Sequence, residues 1–122
     1  MNTSDIGKLV LRVSFSLLIL THGWGKLNRL FADEVKFSDP LGIGSVPTLV
    51  LAVLAEFVAP ILIILGFKTR WVSLFPIATM LVAAFIVHVD DPFKRQELPL
   101  LFLSGFVAIA LIGAGKYSID KR

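Results

Sequence analysis

Five ionisable residues stand within or at the ends of long apolar runs: Arg12, His22, Lys26, Glu56 and His88. Charge is expensive in such runs, and residues that carry it there turn inward and mark working sites by default. Glu56 lies at the middle of the second run. A carboxylate alone at that depth takes up a proton, because desolvation penalises the charged form. At about 1.5 Å per helical residue, Arg12 lies about 15 Å below His22, and Glu56 about 15 Å below the outer end of its own helix. That places the two at similar depth and predicts an Arg12–Glu56 ion pair inside a bundle. The plainer role for such a pair is a clamp that fixes helix register. Pro60 adds to the Glu56 case. It has no N–H and presses on the carbonyl four residues back, that of Glu56. A freed carbonyl beside a carboxyl group suits a polar ligand or a water, although prolines also simply kink membrane helices.

His22 and His88 are the chain's two histidines, and each ends an outward-running helix. Helical phase puts Arg12, His22 and Lys26 on one side of the first helix. Asp90, Asp91 and Glu97 follow His88 at the same membrane face, and Glu97 shares a side of its helix with Ser104. Several chemistries fit this set. Two histidines on facing helices could ligate a haem. Histidine with carboxylates could bind a divalent metal. Either histidine, with Lys26, could relay protons to a quinone carbonyl. The structural alternative is a polar cap whose imidazoles bond to loop backbone.

The elements that must position these residues are apolar helices. The chain has 122 residues, 56% of them hydrophobic and 17% charged, with a mean hydropathy of +0.83. A soluble domain of this size cannot bury that much apolar surface. The apolar runs predict four membrane spans at about 6–24, 46–65, 71–89 and 98–113, each near the ~20 residues that a bilayer requires. The fold class is all-α: one domain over 1–122, a four-helix up-down bundle. Strands are excluded because the runs lack barrel alternation. Pro47 suits the first turn of the second span, Gly66 its end, and Phe67–Arg70 a basic turn. Residues 25–45 read as a long connection at the headgroups, carrying Lys26, Arg29, Asp33, Glu34, Lys36 and Asp39 among apolar residues.

Other classes fall away. With no cysteine, disulfides and thiolate chemistry are absent. There is no Walker loop, nucleotide-binding glycine fingerprint or Ser-His-Asp spacing. No basic stripe interleaved with aromatics appears, so nucleic acid is not an expected partner. The first run holds Arg12 and ends in Thr-His-Gly-Trp, so it reads as a retained helix, not a signal peptide. Loop cations are six on the terminal side and five on the other, a small excess that predicts both termini in the cytoplasm.

Several pieces now align with a known family. Arg12, then His22-Gly23 with Lys26-Leu27; Glu56 with Leu62, Gly66 and Arg70; His88; and Gly113-Ala-Gly115-Lys-Tyr117-Ser118-Ile-Asp120 span nearly the whole chain. In these pieces it resembles the DoxX family of small four-helix membrane proteins. The resemblance implies a bacterial inner-membrane protein linked to redox work. One such relative is the small subunit of a thiosulfate:quinone oxidoreductase, and others are parts of membrane oxidoreductase complexes. Pro60 departs from the small residue, commonly Gly, of such relatives.

The reading that joins residues and resemblance is a redox-complex subunit that binds quinone between its helices. Glu56 and Arg12 would line the inner cavity. His22, Lys26 and His88 would donate hydrogen bonds or protons at its mouth, with the 25–45 loop as a lid. Haem and a divalent metal are the other cofactor candidates. No redox centre is visible in the sequence, so a protein partner or cofactor must deliver electrons. Lipid and a second copy of the chain are further expected contacts. The alternatives are a scaffold or small-solute carrier, with Glu56 and Pro60 as a broken-helix site, and a bis-histidine haem protein.

Overall fold

The computed structural model describes residues 3–32, 37 and 39–121. Among these it contains no strand and four helices long and apolar enough to cross a membrane: α1 Thr3–Leu30, α2 Ser45–Leu65, α3 Thr69–Val87 and α4 Phe93–Ile112. They alternate up and down. α1 packs on α2 and α4, and α3 packs on α4 and on the middle of α2. The core is apolar, built from Ile19, Ala59, Ile63, Met80, Phe102 and Phe106 among others. Most remaining large apolar side chains face outward, as in a bundle whose solvent is hydrocarbon.

α1 does not stop at Trp24 as the His-Gly-Trp-Gly sequence suggested; it runs on to Leu30. The glycines read as breakers lie inside it. Gly23 is buried because the backbone of α2 passes there, and a Cβ at that position would overlap the Glu56 carbonyl. Glycine at this point is a packing residue. Residues 33–36 and 38, including Asp33, Glu34 and Lys36 of the expected loop, lie outside the described residues. The loop's end is described and is tightly built. The Asp39 carboxylate accepts hydrogen bonds from Ile43 N–H at 3.0 Å, Gly44 N–H at 2.9 Å and the Thr48 hydroxyl at 3.0 Å. It thereby ties down the start of α2.

α2 is interrupted at its centre by a π-helical turn, Leu54–Val58, immediately before Pro60. The proline ring cannot sit against the carbonyl four residues back, and the wider turn relieves that clash. A second π turn, Ala83–Val87, closes α3; it has no proline after it and nothing in the structure explains it. Gly66, at φ 73°, ends α2. Phe67 N–H bonds to Leu62 O and Gly66 N–H to Ile63 O, both at 3.0 Å, which closes the helix in a Schellman motif.

After α4 the tail folds back beneath the bundle. Ile119 N–H bonds to Leu65 O at 3.1 Å and Asp120 N–H to Gly66 O at 2.9 Å. The Asp120 carboxylate accepts from the N–H groups of Lys68 and Thr69, both at 2.8 Å. The α2–α3 turn is thus held by the C-terminal residues.

Candidate functional site

The buried stripe of α1 contains Arg12, Ser16, Ile19 and Gly23, at steps of four and three. Lys26 is the next member of that series. Side chains in a helix lean toward its N-terminus, so Lys26 reaches back one turn, to the level of Gly23. Glu56 waits there on α2. The Lys26 ammonium and the Glu56 carboxylate form an ion pair in which the Glu56 side chain is 3% exposed and that of Lys26 24%. Lys26 also lies 5.8 Å from the centre of the Phe37 ring, a cation–π contact. The loop aromatic, the ammonium and the mid-membrane carboxylate form one connected unit.

Lys26 of this unit lines a groove between α2 and α3. The two helices touch at the α2 centre and near their shared turn, and diverge toward the outer face. The space between them is about 620 Å³. Ala52 and Ala55 line one wall, and Ala78, Val82 and Ala83 the other. Leu41 and Pro40 close the top, and Trp71 lies at the bottom. Small side chains on both walls make the groove deep and narrow. Both π turns border it, through Ala55 in one and Ala83 and Val87 in the other. Such turns insert an extra residue and recur where helices are shaped for binding.

The structure corrects the predicted Arg12–Glu56 pair. Gly23 sits against Glu56, and Arg12 is eleven residues earlier, about 16 Å lower along α1. α1 extends beyond the span assumed for it and sits lower against α2 than equal depth requires, with Gly23 and not Arg12 level with Glu56. Arg12, 1% exposed, lies beside Gly66 instead. It donates from Nη2 to the Tyr117 carbonyl at 2.7 Å, with Asp120 as the nearby counter-charge. Its Nε and Nη1 are buried without a hydrogen-bond partner among the described residues. Arg12 thus belongs to the tail-clamped base of the bundle, not to the groove.

The histidines separate as well. His22 is exposed, lies off the Arg12–Lys26 stripe, and packs edge-on against Phe102 of α4, 6.0 Å between ring centres. His88 follows α3. Its Nδ1 is 2.7 Å from an Asp91 oxygen, and Gln96 Nε2 donates to its carbonyl at 2.5 Å. No contact joins the two imidazoles among the described residues, and no group of three His, Asp or Glu side chains there is placed to hold a metal ion. Ser104 faces outward and bonds to Leu101 O.

Of the five residues singled out by sequence, the structure joins Lys26 and Glu56. It sends Arg12 to the base, His22 to α4 and His88 to its own turn. The groove walls and Phe37 were missed. Their one available signal was the cluster of alanines at 52, 55, 78 and 83 on two successive apolar runs.

The comparisons with known proteins agree with this architecture. The DoxX family model matches residues 7–89. "Inner membrane protein YqjF" of Escherichia coli (strain K12) is 33% identical over 123 residues, covering 96% of this chain and 92% of that protein. "Putative oxidoreductase CatD" of Bacillus subtilis (strain 168) is 29% identical over 122 residues, covering 98% and 90%. No solved structure gives a significant match.

Proposed function

The chain belongs to the DoxX family, and from that premise we propose that it is an inner-membrane redox subunit that holds a quinone-class ligand between α2 and α3. The name of the Escherichia coli relative supports the inner membrane. The name of the Bacillus subtilis relative supports oxidoreductase work. The observation that carries the ligand reading is the groove itself. Its 620 Å³ falls within the 300–1,000 Å³ of small-molecule sites, and its largely apolar walls with Lys26, Thr48 and Thr79 as the polar lining match their usual make-up.

The parts divide the work in chemical terms. Lys26 offers N–H donors to a ring carbonyl in the groove. Glu56 fixes the ammonium, supplies its counter-charge and is a base within reach of its protons. The alanines leave space for a flat ring, and the diverging helices let an apolar tail lie against lipid. A quinone, when bound, supplies the capacity to accept and release electrons; the protein holds and orients it and manages protons at Lys26 and Glu56. Electrons come from a partner protein. Both termini lie in the cytoplasm in this reading, so the Lys26 end faces the opposite side.

The test is binding in lipid nanodiscs, followed through Trp71 fluorescence in a Trp24→Phe background during titration with a short-tailed quinone. Saturable quenching in the wild type, weakened about tenfold or more in Lys26→Met, supports the reading; loss of one hydrogen bond to a charged group is about 1.5–3 kcal/mol. Quenching that is unsaturable, or identical in the variant, overturns it. Substrate flux in proteoliposomes abolished by Glu56→Gln, with no quinone binding, would support the carrier alternative, which the π turn at Glu56 favours.

A further inference from the structure

The inner end of the same groove has a different chemistry. Beneath Trp71 a second cavity of about 780 Å³ is lined by Lys68, Thr69, Arg70, Trp71 and Asp120. Trp71 borders both spaces, the polar cavity on one side and the apolar groove on the other. Trp71 is also 74% exposed, the posture of an indole at the headgroup level of a bilayer.

The cavity carries two cations and one carboxylate, Asp120, whose oxygens are taken up by backbone N–H groups. Lys68 has a left-handed backbone, φ 47°, a conformation that a residue with a Cβ seldom adopts. The Asp120 carboxylate fixes it, because its oxygens accept the Lys68 and Thr69 N–H groups. The Lys68 ammonium lies over the Phe67 ring, 5.6 Å from its centre. Among the described residues neither that ammonium nor the exposed Arg70 guanidinium has a carboxylate partner. Two cations at headgroup depth, a tryptophan at the boundary and an apolar channel above it together complement one kind of molecule: a phosphate on a glycerol bearing acyl chains.

We propose that this inner cavity is a binding site for an anionic phospholipid of the leaflet on the side of the termini. The headgroup phosphate lies between Lys68 and Arg70, the glycerol against Trp71, and one acyl chain rises past Leu74 into the lower groove. The phosphate end of the site is separate from the Lys26–Glu56 unit, and the acyl chain shares only the lower groove, near Trp71 and Leu74, with a ligand held there.

The experiment uses the full chain in mild detergent, stripped of lipid. Thermal unfolding is followed with added phosphatidylglycerol, phosphatidylcholine or inorganic phosphate, and native mass spectrometry reads retained lipid. Phosphatidylglycerol is expected to stabilise more than phosphatidylcholine at equal concentration and to remain bound. Lys68→Gln/Arg70→Gln lowers that preference, with each cation worth about fivefold in affinity. Lys94→Gln/Arg95→Gln, which removes the same charge from the opposite membrane face, leaves it unchanged. Arg70→Gln alone, on an exposed side chain, keeps the test valid if the double variant does not fold. Equal stabilisation by both lipids overturns the proposal. So does an equal loss in the Lys94/Arg95 variant, which would show general surface charge. Stabilisation by inorganic phosphate alone points to a soluble anion and equally refutes the lipid.

Discussion

At the scale of single residues, the central asymmetry is between Lys26 and Glu56. The lysine is long and one quarter exposed, so it can turn to water or headgroups when its partner is lost. Glu56, at 3% exposed, has nowhere to go. Lys26→Met is therefore expected to cost about 3 kcal/mol, the usual price of breaking a buried pair, while Glu56→Gln costs less. Lys26→Met/Glu56→Gln should recover part of the loss, because with both charges removed neither is left buried and unpaired. Unfolding of all three in mixed micelles, treated as a double-mutant cycle, checks this; additive costs would mean the pair contributes no coupling. Glu56 was legible in the sequence, since a carboxylate at the middle of an apolar run announces itself. Its partner was not. Choosing between Arg12 and Lys26 needs the axial slide of α1 against α2, and that is set by where Gly23 meets the Glu56 carbonyl.

The scale of the helix is where glycine changes meaning. Gly23 and Gly25 look alike in the sequence, yet a Cβ at Gly23 would strike α2 backbone whereas one at Gly25 or Gly7 meets nothing within 4 Å. Gly23→Ala should force α1 and α2 apart and loosen the Lys26–Glu56 pair. Gly25→Ala and Gly7→Ala should be neutral or stabilising by up to about 1 kcal/mol, the helix preference of alanine over glycine. Gly105→Ala is intermediate, since its obstacle is the Phe15 ring, a side chain that can shift. Thermal unfolding of the four variants is the check, and a Gly23→Ala no less stable than Gly25→Ala would refute the close approach. The existence of four helices and the stop at Gly66 were readable from apolar runs and turn residues. The end of α1 was not, because a glycine buried against another helix carries no local mark distinguishing it from a breaker.

For the molecule as a whole, the two ends of the bundle are closed by carboxylates. At the outer end, hydrogen bonds from Gly44 N–H, then from the Thr48 hydroxyl and Ile43 N–H, hold the Asp39 carboxyl below the usual carboxylate range, against a smaller opposing effect of desolvation. A group whose folded pKa is depressed stabilises the fold above its unfolded value, about 3.9 for Asp, and loses that contribution as pH falls through the folded value. Titration from pH 6 toward pH 3 should therefore loosen the start of α2, seen as lower amide protection factors, relative to the intrinsic exchange rate at each pH, at Ile43, Gly44 and Thr48. Asp39→Asn should exchange faster at neutral pH and respond less to acid. At the inner end, Asp120→Ala should free the Lys68 backbone and weaken the tail's hold around Arg12, giving a lower Tm and easier proteolysis after Tyr117. The up-down order of the bundle was plain in the sequence. The groove was not, since it exists only because α2 and α3 part company beyond their contact at the α2 centre.

That parting has a mechanical consequence. With its vertex pinned by the tail, the α2–α3 pair behaves as a set of tongs. α2 meets α3 again at its centre, so the arm free to tilt is residues 45–55, about 16 Å at 1.5 Å each, and a tilt of about 5° moves its tip by roughly 1.4 Å. Jaws of that kind widen freely at the tips and barely at the rivet. A bulky head should be admitted with little loss, while added bulk low on the tail is refused.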